Sequence, residues 1–221
     1  MHTEKDMRLS IYSVKYYLKS IGGLRFVPLV IFNLILPVLI FIGYRKYGTS
    51  ELFEMELLDL TQYFLPLFSV WWTVFVLREY LEADGNELFY IGGKRIIVKE
   101  LGLIFLVAML NIALLVAVCV ALLPSFIIES VRIISVCLFY FGLTYCMAFL
   151  LKSVTMTLLT LILYTLLNFT LSFNNMFFPL YMSRQLIEIS ELLTICFPLF
   201  ALGLLLILVG LRLNKRFLSY N

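Results

Sequence analysis

Histidine is all but missing from this chain: the single one, His2, stands at the second position, outside every apolar run. A mechanism inside the membrane that needs an imidazole base or a histidine metal ligand has no residue to use. The four cysteines, Cys119, Cys137, Cys146 and Cys196, form no Cys-x-x-Cys pair and all fall in apolar runs. They read as small buried hydrophobes, not as disulfide partners or zinc ligands, so no metal site is expected. No Gly-x-x-x-x-Gly-Lys-Ser/Thr stretch occurs, which excludes nucleotide binding in the P-loop manner. Gly92-Gly93-Lys94-Arg95 has that composition without the spacing and reads as a turn. The centres of the apolar runs hold no Asp, Glu, Lys or Arg, the residues that ion-coupled transporters and intramembrane hydrolases place there. The first 25 residues carry charge throughout and lack an uninterrupted apolar core, so no cleavable signal peptide is expected.

What the chain has in excess is apolar surface. Of its 221 residues 62% are hydrophobic and the mean hydropathy is +1.01. A soluble domain is about half apolar, so the expected class is an all-α integral membrane protein. The apolar runs predict six transmembrane helices in a single domain over residues 1–221, at about Phe26–Tyr44, Thr61–Leu77, Leu101–Leu123, Ile133–Leu151, Val154–Leu171 and Leu192–Leu211. Residues 1–23 read as a cytoplasmic interfacial helix, with Leu9, Tyr12 and Tyr16 at helical spacing beside Arg8, Lys15 and Lys19. Arg45–Leu60 is acidic and reads as a connection, and residues 172–191 as an aromatic-rich loop dipping into the outer leaflet. Ala113, Ala117 and Ala121 make a small-residue face on the third span, suited to a closely approaching helix.

Six spans put both termini on one side. With the termini in the cytoplasm, thirteen of the 17 Lys and Arg fall inside and only Arg45, Lys46, Arg132 and Arg184 outside. The positive-inside rule therefore places both termini in the cytoplasm of a multi-pass cell-membrane protein.

Arg78–Glu100, between the second and third runs, carries nine charges and must lie in water or at the interface. Asp84-Gly85-Asn86-Glu87 has capping-box spacing, with Asp84 or Asn86 as N-cap, and Gly92-Gly93 ends the short helix it would start. Between them lies one apolar turn, Leu88-Phe89-Tyr90-Ile91. Such a turn either folds back onto the membrane surface or docks into a groove on another protein.

In the fifth span, Ser153, Thr157, Thr160, Tyr164, Asn168 and Ser172 share an arc of about 120°. This polar stripe is either the wall of a translocation path or subunit seam, or ordinary packing in which hydroxyls bond the carbonyl one turn back. Gln62 and Asn111 stand as isolated polar residues within spans, and Trp71 and Trp72 as interface anchors.

The architecture resembles the membrane subunits of ABC-2 type exporters. Arg78-Glu79-Tyr80 through Asp84-Gly85-Asn86-Glu87-Leu88 is similar to that family's acidic-glycine segment after the second span, and Lys94-Arg95 with Lys99 to its basic stretch before the third. The family's proline before the basic pair is replaced here by Gly92-Gly93. The resemblance implies that Glu79, Glu82, Asp84, Gly85, Asn86, Glu87, Leu88, Phe89, Tyr90 and Ile91 form an ATPase-coupling helix. It also implies two copies of a cytoplasmic ATPase that carry the ATP and Mg, and a second six-span subunit, identical or related. This chain would then be a permease and not itself an enzyme. It would hold no cofactor, touch lipid but no nucleic acid, and export an amphipathic or hydrophobic peptide, drug or lipid. Two other functions fit the composition: the substrate-capture subunit of an energy-coupled vitamin importer, or a non-transporting membrane scaffold. The importer subunits carry a small-residue motif on their first span, whereas Phe26–Tyr44 has no alanine and one glycine, Gly43.

Overall fold

The computed structural model describes residues 19–82, 97–171, 181–183, 185–187 and 192–220. Residues 1–18 of the interfacial helix expected over 1–23, the turn Asp84–Ile91, Ser172 and most of the loop 172–191 lie outside the described residues. The secondary structure of the described residues is helical: α1 (Gly22–Tyr47), α2 (Glu51–Ser69), α3 (Trp71–Leu81), α4 (Val98–Leu122), α5 (Phe126–Leu151), α6 (Val154–Leu171) and α7 (Phe197–Tyr220), the last preceded by a π-helical turn over Leu192–Cys196. Five stretches are long and apolar enough to cross a membrane: α1, the run Glu51–Leu81 formed by α2 and α3, α4, α5, and Leu193–Lys215. Helix α6 is apolar but shorter.

The second span differs most from expectation. The acidic stretch read as a connection is helical from Glu51 onward. Glu51 and Glu54 sit in its first turn, where the helix dipole favours carboxylates. Phe53, Leu57, Leu58, Thr61 and Leu65 recur on one buried face, while Glu51, Glu56 and Asp59 are exposed. Charge density hid a 3.6-residue apolar period. The helix breaks at Val70, four residues after Pro66, and resumes at Trp71. Proline lacks the N–H that would bond the carbonyl four residues back, so Pro66 frees the carbonyl of Gln62. The indoles that follow the break anchor it: Trp71 Nε1 donates to Leu24 O at 3.1 Å and Trp72 Nε1 to Arg25 O at 2.8 Å. A π-helical turn over Ile31–Ile35 similarly precedes Pro37 in α1.

Helix α5 is the centre of the bundle, buried against α2, α4, α6 and α7. It starts at Phe126, a full two turns earlier than the expected Ile133, and so takes Glu129 and Arg132 into the packed helix. Its closest partner is α7, and glycine is the reason. A Cβ on Gly142 would fall onto the carbonyl oxygen of Gly203, one on Gly203 would stand 3.0 Å from the Phe139 backbone, and one on Gly210 would stand 2.5 Å from the Tyr145 ring. Seven residues separate Gly203 from Gly210, two turns on one face, which lets the backbones touch. Helix α4 buries one stripe only, Leu101, Ile104, Ala108, Ile112, Leu115 and Cys119. The Ala113–Ala117–Ala121 face points away from that stripe and is exposed, with no helix among the described residues packed over it.

Candidate functional site

The two ends of the bundle each hold a polar junction. At the first, α5 ends on Lys152, whose φ of 51° is the left-handed stop of the helix. Two residues later α6 begins. Its leading N–H groups have no partner within the helix. The Glu82 carboxylate supplies one: Oε1 accepts Val154 N at 2.6 Å and Ser153 Oγ at 3.3 Å. A carboxylate at a helix N-terminus also meets the positive end of the dipole. Glu82 is the C-cap of α3, the residue at which the second span gives way to the charged segment. Of the predicted coupling residues it is fixed to α6, Glu79 is half-buried on α3, and Asp84, Gly85, Asn86, Glu87, Leu88, Phe89, Tyr90 and Ile91 lie outside the described residues.

The second junction is a buried polar network at the opposite end of α6, and Gln62 is its hub. Gln62 Nε2 donates to Glu129 Oε1 at 3.2 Å, and Gln62 Oε1 accepts Ser183 N at 2.8 Å. The backbone N–H fixes which end of the amide is oxygen. The carbonyl that Pro66 leaves open accepts Tyr181 OH at 3.2 Å. The same Glu129 oxygen accepts Arg132 Nε at 2.7 Å and lies 2.7 Å from Arg132 Nη2. Glu129 and Arg132 are i,i+3 on α5 and are 0% and 2% exposed, so the ion pair is sealed from water and lipid alike.

Tyrosines extend the network into α6. Thr165 commits its one proton to Leu161 O at 2.8 Å, so Tyr140 OH donates to Thr165 Oγ1 at 2.7 Å. Tyr181 OH, 3.0 Å from Tyr140 OH, divides its proton between that oxygen and the Gln62 carbonyl. Asn168 Oδ1 accepts Tyr181 N at 3.0 Å, while its Nδ2 donates to Tyr164 O at 2.9 Å. The rings of Tyr140, Tyr164 and Tyr181 meet at centroid distances of 5.7 to 6.4 Å. Residues 181–183 are thereby bound to three helices at once, α2, α5 and α6.

The polar stripe of α6 divides between these surroundings. Thr157 is buried and donates to Ser153 O at 2.8 Å, and half-buried Thr160 donates to Met156 O at 2.9 Å, each one turn back. Tyr164 and Asn168 belong to the network, and Ser172 lies outside the described residues. Gln62 is not isolated, and neither is Asn111, which donates to Val107 O at 2.9 Å and stands 3.5 Å from Asn33 Nδ2 of α1.

No family model, curated protein or solved structure matches the chain.

Sequence reasoning left out Glu129, Arg132, Tyr140, Thr165 and Tyr181. Two signals were present. Gln62 precedes Pro66 by one helical turn, which leaves a carbonyl needing a distant donor. Phe126-Ile127-Ile128 carries the apolar run of α5 through the Glu129–Arg132 pair. Among the described residues no cluster of His, Cys, Asp and Glu could hold a metal ion, and the cysteines are buried and free. The network offers no nucleophile beside a base. It ties residues 181–183 to α2, α5 and α6 through side-chain and backbone hydrogen bonds.

Proposed function

We propose that this chain is the membrane-spanning permease subunit of an ATP-driven exporter of the ABC-2 type. In this reading α6 is a sixth span. Its 18 residues extend about 27 Å at 1.5 Å per residue, close to the ~30 Å of a hydrocarbon core. The segment 78–100 carries the coupling helix and seats in a groove of a separate cytoplasmic ATPase, two copies of which hold the ATP and Mg. A second six-span subunit completes the complex in the cell membrane, with both termini in the cytoplasm. The cargo is an amphipathic or hydrophobic peptide, drug or lipid, in keeping with the apolar faces of the spans.

One observation supports this reading beyond the resemblance: the carboxylate of Glu82, at the root of the charged segment, accepts the leading N–H of α6. A push on that segment would reach α6 through a bond rather than through a slack connection. Helix α6 also turns polar side chains inward, Thr157, Thr165 and Asn168. Purification from its own membrane tests the reading. An exporter subunit retains a P-loop ATPase encoded beside it, and ATP hydrolysis by that ATPase changes when the two are joined in liposomes. Retention instead of an unrelated membrane protein shared among several systems would make the chain a vitamin-capture subunit. Retention of neither would make it a scaffold.

A further inference from the structure

A groove of about 770 Å³ runs between α4 and α5, walled by Gly102, Ala113 and Ala117 on one side and Ile134 and Leu138 on the other, with Phe200 of α7 behind. Sites that take small molecules are typically ~300–1,000 Å³ and mostly apolar. Ser130 is the one polar side chain in its lining. The α4 lining runs from Gly102 to Val120, about 27 Å of helix, so the groove extends through most of the hydrocarbon layer. Leu106, Leu110 and Ile134 at its rims are exposed, so it opens sideways toward the bilayer.

The mouth of the groove carries charge. Lys99 precedes Gly102 by three residues on α4. At 100° per residue it falls within the arc occupied by the lining positions 102, 106, 109, 113 and 117. Glu100, one residue on, is turned into the core and buried, whereas Lys99 is exposed and makes no ion pair among the described residues. Lys99 lies in the first turn of a membrane-crossing helix, where a lysine reaches for the headgroup layer. A basic side chain there, above an apolar slot open to lipid, matches a phospholipid's anionic head and acyl chain.

We propose that this groove is a binding site for one anionic phospholipid, its phosphate paired with Lys99 and an acyl chain lying along Gly102, Ala113 and Ala117. The hydrocarbon gains little by leaving one apolar medium for another, so selectivity rests on the headgroup pair. A basic side chain at the surface gives about a fivefold preference for an anionic lipid over a neutral one. The site needs no ATPase and does not depend on which side of the membrane Lys99 faces.

The test is native mass spectrometry of the full chain released from vesicles of equimolar phosphatidylglycerol and phosphatidylcholine. Wild type is expected to retain one phosphatidylglycerol, about fivefold over phosphatidylcholine. Lys99→Ala should remove the preference while still holding a lipid. Gly102→Leu should lower retention of both, and it has room, since a Cβ at Gly102 meets nothing within 4 Å. Equal retention of the two lipids by wild type, a preference that survives Lys99→Ala, or retention unchanged in Gly102→Leu would each overturn the proposal. So would disulfide crosslinking of Ala113→Cys between two copies in lipid, which would make a second chain the occupant.

Discussion

Replacing Arg132 by methionine would leave the Glu129 carboxylate buried with only neutral partners, the Gln62 amide and the Ile187 backbone, to offset its charge. Methionine matches the length and fills the volume, so the loss is electrostatic and not a cavity. Breaking a buried ion pair on one side costs about 3–5 kcal/mol, because the stranded charge is paid for by no solvent. Glu129→Gln strands the guanidinium and should cost a similar amount. The double replacement removes both charges and leaves two neutral side chains, and glutamine still offers Gln62 an acceptor. It is therefore expected to be more stable than the sum of the single losses predicts, with a coupling energy of at least about 2 kcal/mol. Reversible unfolding in mixed micelles measures all four proteins. Single variants within about 1 kcal/mol of wild type, or losses that simply add, would show that water or lipid reaches the pair, and the description of a sealed network would be wrong.

Three further outcomes follow from the packing and the hydrogen bonds. Gly142→Ala and Gly203→Ala should each destabilise the α5–α7 contact by about 1–3 kcal/mol in the same unfolding assay, whereas Gly102→Ala should change stability little. Tyr181→Phe should cost about 0.5–1.5 kcal/mol, and less in a Pro66→Ala background, where a helical N–H would compete for the Gln62 carbonyl. Cysteines at Tyr164 and Asn168 should label with water-soluble thiol reagents only while ATP is being turned over, if the network opens during transport; protection in every state would make the polar face of α6 packing alone.

How much of this could be read beforehand depended on the kind of signal. The all-α membrane class follows from apolar runs such as Leu101–Leu123 and Ile133–Leu151, because length and hydropathy alone decide whether a helix can cross lipid. Helix ends near charge were harder. Glu51–Asp59 looked like a connection since four acids in nine residues outweighed the period of Phe53, Leu57 and Leu58, and Glu129 and Arg132 fell outside the fourth span because that span was begun at Ile133, after the charges, whereas the two form an i,i+3 pair inside the helix. The polar face of α6 was visible from spacing, but its partners were not. Gln62 meets Ser183 across 121 positions and Tyr140 meets Tyr181 across 41, and separations of that kind leave no periodic trace.

The coupling of this chain to an ATPase is the central claim, and Phe89 tests it most directly. Burying a large apolar side chain in a partner groove contributes about 1.5–3 kcal/mol, whereas a helix cap contributes about 1 kcal/mol. Phe89→Ala should therefore reduce co-purification of the ATPase, or uncouple its hydrolysis from transport, by a larger factor than Asp84→Ala, with membrane insertion normal in both. The readouts are co-purification yield in detergent and ATPase rate in liposomes. Normal values of both for Phe89→Ala would contradict the account and return that turn to the lipid headgroups.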